Sequence, residues 1–99
     1  MEKYPEIREL LELLIGEGFI IDGYQDEDVL VSTCDIDEIV NVVHGVEECW
    51  VDVSRNGIYS GLFFVIGNEQ GVALNDYTCE PLNLPFIETA SEMMYKKYN

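Results

Sequence analysis

The stretch Cys49-Trp50-Val51-Asp52-Val53-Ser54-Arg55-Asn56-Gly57-Ile58-Tyr59-Ser60-Gly61-Leu62-Phe63-Phe64-Val65-Ile66 decides the fold. Two β-rich runs flank Asn56-Gly57. That dipeptide suits a two-residue type I′ hairpin turn, because both central residues of such a turn need positive φ. So short a turn fixes the register. Arg55 must oppose Ile58, Val53 Ser60, Val51 Leu62, and Cys49 Phe64.

Downstream, Gly67-Asn68-Glu69-Gln70-Gly71 is a second turn, leading into a third strand over Val72 to Tyr77. Pairing Ile66 with Val72 places Phe64 opposite Leu74. One face of the meander then carries Cys49, Val51, Val53, Leu62, Phe64, Ile66, Val72 and Leu74. A face this apolar requires a layer of helices on it. The other face carries Trp50, Asp52, Ser54, Tyr59, Gly61, Phe63, Val65, Asn75 and Tyr77, aromatic and polar together. It is either covered by the remaining elements or left as a contact surface. Gly61 is expected between Asp52 and Tyr77, beneath a neighbouring ring.

Upstream, Pro5 suits a first helical turn. Ile7, Leu10, Leu11 and Leu14 recur at the spacing of one helical face, so a helix is expected over 5–15, stopped by Gly16 and Gly18. Glu2 and Glu6 complement its N-terminal dipole. Phe19-Ile20-Ile21 and Val29-Leu30-Val31 read as a hairpin joined by the polar turn Asp22 to Asp28. Asp35, with Glu38 three residues on, is a capping-box arrangement for a second helix. Its stripe is Ile36, Ile39, Val40 and Val43, and Gly45 closes it. After Glu80-Pro81-Leu82-Asn83-Leu84, Pro85 opens a third helix with Phe86, Ile87, Ala90, Met93 and Met94 on its apolar side. The expected order is α-β-β-α-β-β-β-α. This is a single α+β domain over residues 1–99, an antiparallel sheet of about five strands packed with three helices.

The chain has 99 residues, with 20 acids, five bases and a formal charge of −15. From Glu9 to Ser54 there are 13 acids and no Lys or Arg. Internal ion pairs within that half are therefore impossible. Direct nucleic-acid binding is excluded, because phosphate contacts need Lys and Arg. An anionic membrane surface is excluded on the same ground. A basic protein surface is the natural partner, and opposite fields speed association. Acidity that serves only solubility is the competing explanation. No apolar run approaches the ~18 residues of a membrane span. The N-terminal residues do not read as a signal peptide, so a cytoplasmic location in a bacterial host cell is expected.

Motifs for chemistry are sparse. Cys34, Cys49 and Cys79 are odd in number and lack a C-x-x-C, which argues against a disulfide framework or a zinc knuckle. Reduced thiols fit the cytoplasm, with Cys49 expected in the core. The single histidine, His44, ends the second helix, where a capping role outweighs a catalytic one. Asp22/Asp26/Glu27/Asp28 and Asp35/Asp37/Glu38 do not match a calcium loop, and no sugar cleft accompanies the acids. The scattered glycines form no phosphate-binding motif. No cofactor, metal site or catalytic residue is expected, and the protein reads as a non-enzyme.

Leu62-Phe63-Phe64-Val65-Ile66-Gly67-Asn68, running on to Asn75-Asp76-Tyr77-Thr78, resembles a segment of small phage and prophage proteins. In size and acidity the chain is similar to anti-CRISPR and antirestriction proteins. The resemblance transfers no site residues. With the charge pattern it implies an anti-defence inhibitor that mimics nucleic acid and blocks the basic groove of a nuclease complex. The partner-binding residues expected are Asp22, Tyr24, Asp26, Glu27, Asp28, Asp35, Asp37, Glu38, Glu47, Glu48, Trp50 and Asp52. Trp50 and Tyr24 would be the aromatic anchors. An immunity protein against a basic toxin nuclease uses the same physics. A non-enzymatic adaptor or assembly subunit would use the aromatic sheet face instead. The sequence leaves monomer and homodimer equally open.

Overall fold

The computed structural model describes residues 3–27, 29–67 and 69–99. Its elements are α1 (Pro5–Gly16), β1 (Ile20–Asp26), β2 (Val29–Ser32), α2 (Ile36–Gly45), β3 (Glu48–Arg55), β4 (Ile58–Val65), β5 (Leu74–Thr78) and α3 (Leu84–Tyr98). The order and the α+β class are those expected. The strands lie in one antiparallel sheet in the order β2-β1-β3-β4-β5. Its core face is sealed by the apolar stripes of the helices: Ile7, Leu10, Leu11 and Leu14 of α1, Ile39, Val40 and Val43 of α2, and Ile87, Ala90 and Met94 of α3. These meet Cys49, Val51, Val53, Leu62 and Phe64 from the central strands. The shortest dimension of the backbone is 19 Å, enough for one helix layer on one sheet. Among the described residues no helix packs on the opposite sheet face.

The β3–β4 hairpin has the register its turn dictates, from Arg55 opposite Ile58 to Cys49 opposite Phe64. Asn56 and Gly57 both take positive φ, at 55° and 79°. Cys49 is buried, and the loss of hydration pushes its thiol up to about 11, so it behaves as a core residue.

The outer strands depart from the alternation. The segment Asp22 to Asp26, expected as a turn, belongs to β1. A bulge between Ile21 and Gly23 inserts one extra residue. Ile21 opposes Val53 on the core face, yet Gly23 opposes Asp52 on the open face. Every later residue of β1 is thereby switched: Gln25 joins the open face and Tyr24 packs inward. Gly23 is required here. Its φ is 153°, and a Cβ would stand 2.0 Å from the carbonyl oxygen of Val31.

A second irregularity separates β4 from β5. Phe64 opposes Leu74 as expected, but Phe63 opposes Asp76. Asn75 is the extra residue. Tyr77 consequently faces the helices opposite Leu62, and Thr78, not Tyr77, lies beside Gly61. The expected pairing of Ile66 with Val72 is replaced: the Val65 amide donates to the Ala73 carbonyl at 2.8 Å and the Ile66 amide to Glu47 at 2.9 Å. Ala73 is the buried residue there, and Val72 is half-buried.

At α2, Asp35 Oδ1 accepts from the amides of Asp37 and Glu38 at 3.0 and 3.4 Å. The reciprocal bond of a capping box goes elsewhere: the Asp35 amide donates to Thr33 Oγ1 at 3.1 Å. His44 joins two helices. Its Nδ1 lies 2.8 Å from the Val40 carbonyl, and its Nε2 accepts the Tyr4 amide at 3.0 Å, so the ring is the neutral Nδ1–H tautomer.

Candidate functional site

Along the open face, alternate residues of each strand project away from the helices. Trp50 and Asp52 come from β3, Gly61 and Phe63 from β4, Gln25 from β1, Leu30 and Ser32 from β2, and Thr78 from β5. The Trp50 and Phe63 rings lie 4.8 Å apart, tilted by 32°, a favourable cross-strand aromatic pair. Trp50 also covers Gly61. A Cβ on Gly61 would meet the indole Cε3 and Thr78 Oγ1, each at 3.1 Å. Glycine at this point lets the indole lie flat on the sheet.

Trp50 and Gln25 form a ridge between two concavities. The first is a basin of about 490 Å³ bounded by Asp22, Gln25, Leu30, Trp50, Asp52 and Tyr59. Its rim is apolar and well exposed, Leu30 at 68% and Tyr59 at 70%. Its floor is acidic. Asp52 Oδ2 accepts a hydrogen bond from Gln25 Nε2 at 3.3 Å. Burial pushes the Asp52 carboxyl above its ordinary range, and the negative charge of Asp22 adds to that; the Gln25 bond opposes it. Asp22 Oδ2 is buried and accepts no hydrogen bond.

The second concavity, about 620 Å³, gathers Asp26, Glu27, Glu47 and Glu48 around Trp50 and Phe63. These four acids come from the end of β1 and the start of β3. They converge only because β1 and β3 are sheet neighbours. No Lys or Arg lines either concavity, and among the described residues none of these acids is in an ion pair.

The remaining expected residues lie elsewhere. Asp35, Asp37 and Glu38 are at the start of α2, in a groove shared with Lys3, Arg8 and His44 of the helix layer. There Asp35 is spent on the helix cap, and Asp37 is bound to Arg8 at 2.6 Å. Tyr24 is not an exposed anchor, because the β1 bulge turns it toward the core. Asp28 lies outside the described residues. The structure thus brings together Asp22, Asp26, Glu27, Glu47, Glu48, Trp50 and Asp52 out of the twelve.

Gln25, Leu30 and Thr78 belong to this face without having been singled out in the sequence. For Gln25 and Leu30 the available signal was Gly23, since a glycine inside a strand pattern marks a bulge. Cys34 is exposed and Cys79 half-buried, the latter accepting from Ser60 Oγ at 3.2 Å. Among the described residues no group of three His, Cys, Asp or Glu is placed to hold a metal ion, and no helix is long and apolar enough to cross a membrane. Comparison with protein-family models, curated proteins and solved structures found no match to this chain.

Proposed function

We propose that the protein is a small acidic inhibitor that docks its open sheet face on a basic protein surface. The partner class is the nucleic-acid-binding groove of a defence nuclease complex in the cytoplasm of a bacterial host, and the inhibitor is of the anti-CRISPR type carried by phage or mobile elements. Carboxylates stand where phosphates would lie, and the indole of Trp50 supplies a desolvated anchor. No bond is made or broken.

One observation carries this reading. Six unpaired carboxylates surround an accessible Trp50–Phe63 pair on a face with no Lys or Arg, while the ion pairs of the described residues lie in the helix layer. Such a face produces a concentrated negative potential, which steers a basic partner. An immunity protein facing a basic toxin nuclease would use the same physics. The exposed Leu30 and Tyr59 favour a second reading, an adaptor that buries this face against an apolar surface.

Retention of bacterial lysate proteins on the immobilised protein, eluted in a salt gradient and identified by mass spectrometry, tests the proposal. A basic nucleic-acid-binding protein should elute by about 0.2 M salt, as screening weakens exposed charges. It should also be released by competing duplex nucleic acid. A retained partner that is acidic, or that ignores both salt and nucleic acid, overturns charge mimicry and leaves the adaptor.

A further inference from the structure

We propose that the 490 Å³ basin receives one arginine side chain of the partner, with its guanidinium against Asp22 and Asp52 and its stem along Trp50. This rests on the reading of the open face as the dock for a basic surface, and adds which side chain that surface must present.

Three features of the basin carry the assignment. The first is a carboxylate short of donors: half-buried Asp22 lines the basin, and among the described residues its Oδ2 accepts no hydrogen bond. A half-buried carboxylate short of donors is costly, so a cation brought by a partner to its basin side is favoured there. The second is a second carboxylate lining the same basin. Asp52 has a single long bond from Gln25, at 3.3 Å, and retains free acceptor positions. The third is the lining. The Trp50 ring bounds one side, and the exposed Leu30 and Tyr59 rise from β2 and β4. That combination suits a long side chain with an apolar stem and a cationic head.

The same features separate arginine from lysine. A guanidinium presents five donors in a rigid plane, so it can serve two carboxylates at once and lie flat on an indole. It is also less strongly hydrated than an ammonium, and gives up less water on entering a half-buried site. A bare divalent ion is a poorer fit, because the described residues offer no group of three acidic or soft ligands.

Trp50 is the sole tryptophan and lines both concavities, so its fluorescence reports on peptide bound at the open face. The test titrates the whole protein with a hexa-arginine peptide and with a hexa-lysine peptide, at low salt and equal peptide charge. The arginine peptide should bind about tenfold more tightly, the factor that corresponds to about 1.4 kcal/mol, and should shift the Trp50 emission at saturation. Asp22→Asn with Asp52→Asn should bring the ratio of the two affinities close to one; if that double variant does not fold, Asp52→Asn alone carries the same test. Glu47→Lys with Glu48→Lys should weaken both peptides together and preserve the ratio. If both peptides bind but the ratio is near one, or is unmoved by the asparagine variants, the arginine assignment is overturned and the acidic dock survives. If neither peptide binds, the dock itself is overturned, and the assignment with it.

Discussion

The two layers of this molecule treat their carboxylates in opposite ways. In the helix layer, three acids are held by cations. Glu9 lies 2.5 Å from Lys97 Nζ and also accepts the hydroxyl of Tyr98, and these bonds hold its carboxyl below the usual range. Asp37 has Arg8 and Glu92 has Lys96. Arg55, which starts on β3, reaches the helix side as well, donating to the Glu17 carbonyl at 2.8 Å and stacking 4.4 Å from the Phe86 ring. On the open sheet face, by contrast, Asp52 has only an amide for company, and burial drives its carboxyl upward. A net charge of −15 therefore understates the asymmetry. The few cations are used on one layer, so the other layer's potential is uncompensated.

Removing the bulge that shapes the open face should have the largest effect. Gly23→Ala drives a Cβ to within 2.0 Å of the Val31 carbonyl oxygen in a backbone conformation that side chains rarely adopt. Loss of about 2–3 kcal/mol in urea denaturation is expected, the scale of a strained backbone position. Partner binding should fall with it, because Leu30 and Gln25 lose their places beside Trp50. A Gly23→Ala protein of unchanged stability would contradict the bulge.

Next in size is the contrast between the faces themselves. Glu47→Lys with Glu48→Lys changes the charge as much as Glu88→Lys with Glu92→Lys. Only the first pair borders Trp50 and Phe63. Stopped-flow association with the partner should slow on the order of tenfold for the first pair, within the range of electrostatic steering, and by much less for the second. Equal slowing would mean that net charge alone matters.

The division between what could and could not be read from the sequence follows the chemistry of registers. Asn56-Gly57 is a local instruction, and every pairing of β3 with β4 followed from it. Helix stripes are equally local, and α1 and α2 lie where their periodicity placed them. The bulges at Asp22 and Asn75 are different. Each inserts one residue, and a one-residue slip reverses the face of everything beyond it. That single effect moved Tyr24 and Tyr77 to the core and brought Gln25 into the open face. The acidic site was legible as a composition and only partly as a place. Glu47 and Glu48 could be joined to Trp50 by proximity in sequence. Their meeting with Asp26 and Glu27 required the strand order, and the removal of Asp35, Asp37 and Glu38 from the group required knowing that Arg8 reaches α2.

A smaller effect isolates the helix layer. His44→Ala removes the 3.0 Å acceptor of the Tyr4 amide and the imidazole donor to the Val40 carbonyl. A loss of about 1 kcal/mol is expected, the worth of a hydrogen bond whose partner is left behind. Binding of a basic partner should be unchanged once the variant is folded. Impaired binding by a fully folded His44→Ala protein would show that the groove between α1 and α2 belongs to the interface.

The smallest effects are the most diagnostic, because their signs differ between the layers. Glu9 has a folded pKa below its unfolded value, so its contribution is present above the unfolded value and is lost as pH falls through the folded one. Glu9→Gln should therefore destabilise at neutral pH, by under about 1 kcal/mol because the pair is solvent-screened. Asp52 has a folded pKa above its unfolded value. Its protonated form is favoured by folding, a contribution fully present below the unfolded value and lost as pH rises through the folded one. At neutral pH the ionised Asp52 thus works against the fold, and Asp52→Asn should stabilise slightly, again by under about 1 kcal/mol after screening. The gain should vanish at acid pH, where the wild-type carboxyl is already neutral. Denaturation midpoints of both variants across this range would measure the difference directly. Under the proposed function, a carboxylate that weakens its own fold beside an accessible indole is retained because a cationic partner offsets it. Destabilisation by Asp52→Asn at neutral pH would remove that reason for its presence.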